Sequence, residues 1–110
     1  MKKLVVLATL ALASCSLPDN SDVKVIVGAK LVNPGREPID FSVVVVEKGK
    51  IIAAGKQSQV PVPKGSSITR GLNMTLMPET PADFIEAGKP ANLVLKGDTI
   101  RRMHAGEWVP

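Results

Sequence analysis

The chain has 110 residues, room for one domain at most. Aromatic residues make up 3% and tyrosine is absent, so a core has to be built from Val, Ile, Leu and Met, enough for a small β domain with little surplus stability. The formal charge of +4 falls to about +2 once Lys2 and Lys3 are set aside with the N-terminal segment, which excludes the clustered basic face that nucleic-acid binding requires.

The N-terminus reads as an address. Lys2-Lys3 is a positive start, and Leu4 to Leu12 is apolar apart from Thr9. A run of about nine residues suits a signal peptide and falls far short of the ~20 that a transmembrane helix needs. Leu12-Ala13-Ser14-Cys15 follows and resembles the bacterial lipobox, with cleavage expected between Ser14 and Cys15. Cys15 is the only cysteine, and its thiol would be the nucleophile that takes the diacylglyceryl group. Each buried acyl methylene contributes about 0.8 kcal/mol, so several chains hold a protein on a membrane. Residues 1–14 are therefore expected to be a lipoprotein signal peptide. Residues 15–22 form a lipid-anchored tether, polar and Pro-containing from Ser16 to Asp22. Ser16 rather than Asp after the cysteine resembles cargo sent to the outer membrane of a Gram-negative envelope, where the chain would face the periplasm.

Residues 23–110 read as strands. Val23 to Val32 is rich in β-branched residues and ends at Asn33-Pro34-Gly35, where Pro fixes φ and Gly accepts the positive φ of a type II turn. Phe41 to Val46 has no alternation and suits a strand at the centre of a sandwich. Lys48-Gly49-Lys50 is a tight hairpin turn returning as Ile51 to Lys56. Val60-Pro61-Val62-Pro63 is extended but cannot sit inside a sheet, because each Pro lacks a ladder donor. Short strands follow at Ser67 to Arg70 and Met74 to Met77, joined near Gly71. Thr80-Pro81-Ala82-Asp83 has the chemistry of a helix start, with Gly88 as its stop, so at most one short helix is expected. Ala91 to Lys96, Thr99 to Ala105 and Trp108-Val109 complete a mainly β fold. Arg101 and Arg102 would point to opposite faces of their strand.

The order of these motifs resembles the amidohydrolase superfamily of metal-dependent hydrolases. Its opening strands lead to an acid–x–Gly–basic–Ile hairpin, here Glu47 to Ile51, followed by Ala54-Gly55. Val60-Pro61, Ile68 to Gly71 and Leu76-Met77-Pro78 match the next segments, with Glu79 where the family has Gly. Gly88-Lys89-Pro90-Ala91-Asn92-Leu93-Val94, Ile100 to Ala105 and Gly106-Glu107-Trp108-Val109 match its closing segments, with Asn92 in place of Asp. The resemblance implies that residues 23–110 fold as the family's composite domain, a small β-sandwich made from the two chain ends.

It also implies what is missing. In the family a catalytic barrel stands between these ends, opening with a His-x-His metal pair. Here Glu79-Thr80-Pro81 follows Pro78, and His104 is the only histidine. A catalytic zinc site commonly needs three protein ligands and an open position, which this residue set does not supply. There is no Gly-x-Ser-x-Gly elbow, no phosphate loop among the scattered glycines, and nothing beside Asp83 and Glu86 that would tune them as acid and base. No catalytic, cofactor-binding or metal residue is assigned. His104 reads as a solvated or edge histidine.

Three readings of function follow. The first is a membrane-tethered, non-catalytic β module that uses the face normally packed on the barrel to bind a second copy or a periplasmic protein. The second is a hydrolase acting on non-peptide C–N bonds, active only with a separate barrel partner. The third is a gene remnant without a role. Membrane lipid held through acylated Cys15 is the partner expected from the first reading, and nucleic acid is not expected.

Overall fold

The computed structural model describes residues 22–110. They form nine strands in two sheets, a small β-sandwich. In chain order the strands are β1 (Lys24–Val27), β2 (Lys30–Leu31), β3 (Ser42–Glu47), β4 (Lys50–Lys56), β5 (Ser67–Arg70), β6 (Thr75–Pro78), β7 (Leu93–Lys96), β8 (Ile100–His104) and β9 (Glu107–Val109). One sheet has four strands in the order β4-β3-β1-β5, and the other has five in the order β9-β8-β7-β6-β2.

The stretch expected as one strand from Val23 to Val32 is two. Gly28, at φ 95°, turns the chain out of the four-stranded sheet, and β2 enters the other sheet. The later pair β5 and β6 makes the same crossing at Gly71, so β1 lies parallel to β5 and β2 parallel to β6. The two crossings touch. A Cβ at Gly71 would stand 2.9 Å from the Cβ of Ala29, so only glycine lets these corners nest.

Among the described residues the buried apolar side chains are Val, Ile, Leu, Ala and Met, and Trp108, partly buried, packs against the main cluster. The main cluster lies between the sheets, with Ile26, Val44 and Ile51 facing Leu76, Leu93 and Met103. A second cluster of Val23, Val25, Val43 and Val45 lies on the other face of the four-stranded sheet, with Val60 of the Pro-rich segment packed against it. β1 and β3 are thus covered on both faces, which explains why Val43 to Val46 never alternates with polar residues.

Phe41, expected inside β3, precedes it in a left-handed conformation (φ 52°) and is 59% exposed. The strand starts instead at Ser42, whose N–H and hydroxyl both donate to the Ala29 carbonyl, at 2.9 and 2.7 Å. The hairpin at Lys48-Gly49 forms as expected, with φ of 53° and 81°, the pair of positive values a type I′ turn demands. Ala105-Gly106 repeats that geometry between β8 and β9, at 51° and 83°. A bulge in β4 leaves Ile52 without a partner on β3.

Candidate interaction surface at the closed junction

The positions flanking the expected barrel are neighbours. β6 pairs antiparallel with β7, and Pro78 lies opposite Leu93. Residues 79–92 join them within the same end of the sandwich. The short helix does not form there: Thr80 to Asp83 is a turn, in which the Asp83 N–H donates to the Thr80 carbonyl at 3.1 Å and the Thr80 hydroxyl bonds the Asp83 carboxylate at 3.0 Å. The physical reason is that this segment finds partners outside itself. A helix this short has a costly nucleus, and the groups it would pair internally are taken by the rest of the fold.

The strongest of those partners is Asn33. Its side-chain carbonyl accepts the Ile85 N–H at 2.7 Å, and its amide donates to the Ile85 carbonyl at 3.0 Å. Both Asn33 and Ile85 are buried, so this two-point clamp satisfies backbone groups that water does not reach. Ile85 is 1% exposed and belongs to the main core. Beyond it, the Gly88 N–H donates to the Ile51 carbonyl at 2.8 Å, and the Ile51 N–H donates to the Lys89 carbonyl at 2.8 Å. Ala91 joins the two hairpins: its N–H donates to the Gly49 carbonyl at 2.9 Å, and its carbonyl accepts from Gly106 at 3.1 Å. Asn92 accepts the Ala105 N–H on its side-chain oxygen at 2.8 Å. Arg36 lies over the Phe84 ring at 4.3 Å and reaches Glu86 at 3.5 Å. The Ile85→Ala variant should therefore lose about 2–5 kcal/mol of stability, the usual range for emptying a buried aliphatic site, seen as a lower urea midpoint at constant slope.

Outside this junction the five-stranded sheet turns a mostly apolar row, interrupted by Arg102, away from the core. Leu76, Leu93, Leu95 and Met103 point inward. Met77, Val94, Arg102 and Val109, in register across four strands, point outward. Val32, whose N–H donates to the Leu76 carbonyl, continues the row. At its junction end Val32, Pro34, Met77, Pro78, Glu79 and Pro81 line an open groove of about 300 Å³. The groove is largely apolar, with Glu79 as its charged residue, and the Glu79 carboxylate meets His104 Nδ1 at 3.2 Å.

His104 is 65% exposed at its side chain, and its one charged partner is Glu79. Asp83 and Glu86 hold different partners, Thr80 and Arg36, and do not act as a pair. Among the described residues no group of three or more His, Cys, Asp and Glu could hold a metal ion. Arg101 and Arg102 do separate to opposite faces: Arg101 stacks on Trp108 at 4.2 Å, on the face of Met103, and Arg102 stands in the outer row. Ser14 and Cys15, with the expected signal peptide and nearly all of the expected tether, lie outside the described residues. Among the described residues no helix is long and apolar enough to cross a membrane.

The fold and its junction define a mainly β, two-sheet sandwich with one outward apolar face. No protein-family model matches the chain, and no curated protein matches it. Among solved structures the chain is similar to molinate hydrolase, with 23% sequence identity and a TM-score of 0.48 over 55% of this chain. The match covers 13% of that protein.

Proposed function

We propose that the chain is a non-catalytic binding module of amidohydrolase descent, tethered to a membrane through acylated Cys15 and binding a second copy or a periplasmic protein on the outer row of its five-stranded sheet. The observation that carries the reading is the closed junction. Where the family would insert a barrel, Pro78 pairs with Leu93, and the connecting residues are clamped into the core by Asn33. Beside that junction half-buried Val32 and Met77 line an open, largely apolar groove, with Val94 paired to Met77, and apolar surface of this kind tends to acquire a partner. Binding, rather than turnover, also fits the sequence, which replaces the His-x-His pair with Glu79-Thr80-Pro81.

The test uses the full chain in its native envelope. Intact-mass analysis is expected to show a chain beginning at Cys15 with acyl groups attached, and Cys15→Ser should release the protein from the membrane fraction. Chemical cross-linking in the same membranes should give one discrete larger species. That species should be lost in Met77→Glu, while lipidation and the thermal midpoint are kept. An unmodified chain would refute the tether, and cross-linking indifferent to Met77→Glu would refute the binding face.

A further inference from the structure

Among the described residues the four-stranded sheet has an open side that the junction does not touch. β5 is its last strand, and it pairs with β1 alone. On the opposite side of that sheet β4 is bonded at Ile51 by Gly88 and Lys89. On β5 the Ser67 N–H donates to the Val23 carbonyl and the Gly71 N–H to the Val27 carbonyl, each at 2.8 Å. Backbone groups alternate along a strand, so the N–H and C=O of Ile68 and Arg70 face away from β1. No described residue hydrogen bonds to them. Among the described residues no Pro, bulge or covering loop blunts β5, whose protection is its four-residue length and the charge of Arg70.

The side chains narrow the occupant. Ile68 and Arg70 lie opposite Val25 and Val27, on the same face of the sheet as the second cluster. Ile68 is 50% exposed. Arg70 makes no ion pair among the described residues. It also falls in a stretch of unmixed sign: from Lys48 to Pro78 the sequence contains Lys48, Lys50, Lys56, Lys64 and Arg70 and no Asp or Glu. A second copy would bring the same cations to this edge.

We infer that the β5 edge takes up an extended acidic peptide strand, in antiparallel register, with an acidic residue opposite Arg70 and a β-branched residue two positions later opposite Ile68. Both outward residues of β5 then form hydrogen-bonded pairs, each exchanging an N–H···O=C bond in both directions. The acid meets an uncompensated guanidinium, and the apolar residue covers Ile68. The residue between them lies opposite Thr69 on the other face, where threonine or serine fits. This inference concerns a different surface from the outer row and stands whether or not the chain descends from a hydrolase.

The experiment is fluorescence anisotropy with the full chain in mild detergent and a labelled heptapeptide, Thr-Thr-Glu-Thr-Val-Thr-Thr. Saturable binding below about 1 mM is expected, and about fivefold weaker binding when the peptide Glu is replaced by Lys. Arg70→Glu should reverse that preference. Ile68→Pro should abolish binding of either peptide while the fold survives, because the lost N–H points away from β1; an unchanged urea midpoint checks this. Equal binding of the two peptides, binding that persists in Ile68→Pro, or no binding up to about 1 mM would overturn the inference. So would self-association of the chain that Ile68→Pro removes, since the edge would then belong to a second copy.

Discussion

Gly106→Ala is expected to lower stability by about 2–5 kcal/mol. Two costs add. Gly106 sits at φ 83°, a left-handed conformation that costs an L-residue about 1–2 kcal/mol. Its new Cβ would also stand 2.6 Å from the Gly49 Cα and 3.0 Å from the Gly49 nitrogen. Those are backbone atoms of the facing hairpin and cannot rotate aside, so the strain reaches the overpacking range of about 1–3 kcal/mol. The position matters because the two hairpins belong to opposite sheets, and Ala91 of the connecting segment is hydrogen-bonded to both. A domain of this size has roughly 5–10 kcal/mol in total, so the variant should unfold at a much lower temperature. Gly88→Ala separates the two costs. Gly88 has φ 93° but nothing within 4 Å of its Cβ position, and it should lose only about 1–2 kcal/mol. Equal midpoints for the two variants would show that the hairpins do not abut.

Asn33→Ala should cost about 2–6 kcal/mol. Deleting the side chain leaves the buried N–H and C=O of Ile85 without partners, and each unsatisfied group carries a desolvation penalty of about 1–3 kcal/mol. Asn33→Asp tests both halves of the clamp. The carboxylate still accepts from the Ile85 N–H, but its second oxygen faces the Ile85 carbonyl where the amide had donated. A buried carboxyl in that place has its folded-state pKa raised by burial and by the facing carbonyl, so the folded state binds the proton more tightly than the unfolded. The Asp variant should therefore be at least as unstable as Ala at neutral pH and should gain stability relative to wild type as pH falls. Urea midpoints at two pH values decide the matter, and a pH-independent difference would mean that Asn33 does not donate to Ile85.

Much of the architecture was legible in the residues. The Val43 to Val46 run, the hairpin glycine at Gly49 and the prolines at 61 and 63 each restrict the backbone locally, and each lies where its chemistry requires. What escaped the sequence depends on contacts distant along the chain. Gly28-Ala29 gives no turn signal, and the crossing there is dictated by the parallel crossing at Gly71, visible only once the corners nest. Asn33 reads as the first residue of a turn, which it is, since the Arg36 N–H donates to its carbonyl at 3.2 Å. Its side chain serves a segment 52 residues away, and no local pattern marks that. Thr80-Pro81 carries true helix-start chemistry, overridden because Asn33, Ile51 and Gly49 bond the backbone that a helix would have paired with itself. Met77 and Val94 could be named as neighbours on the outer row only once the register of β6 on β7 was fixed.

The junction is an integral part of the core, and native-state hydrogen exchange on the full chain tests that most directly. The amides of Glu79, Ile85, Gly88 and Ala91 donate to the Asn92 carbonyl, the Asn33 side chain, the Ile51 carbonyl and the Gly49 carbonyl. If the junction is closed as described, these four should exchange as slowly as the ladder amides of β6 and β7, opening only with the whole domain. Exchange of the four at the rate of a free loop, with β6 and β7 still protected, would contradict it.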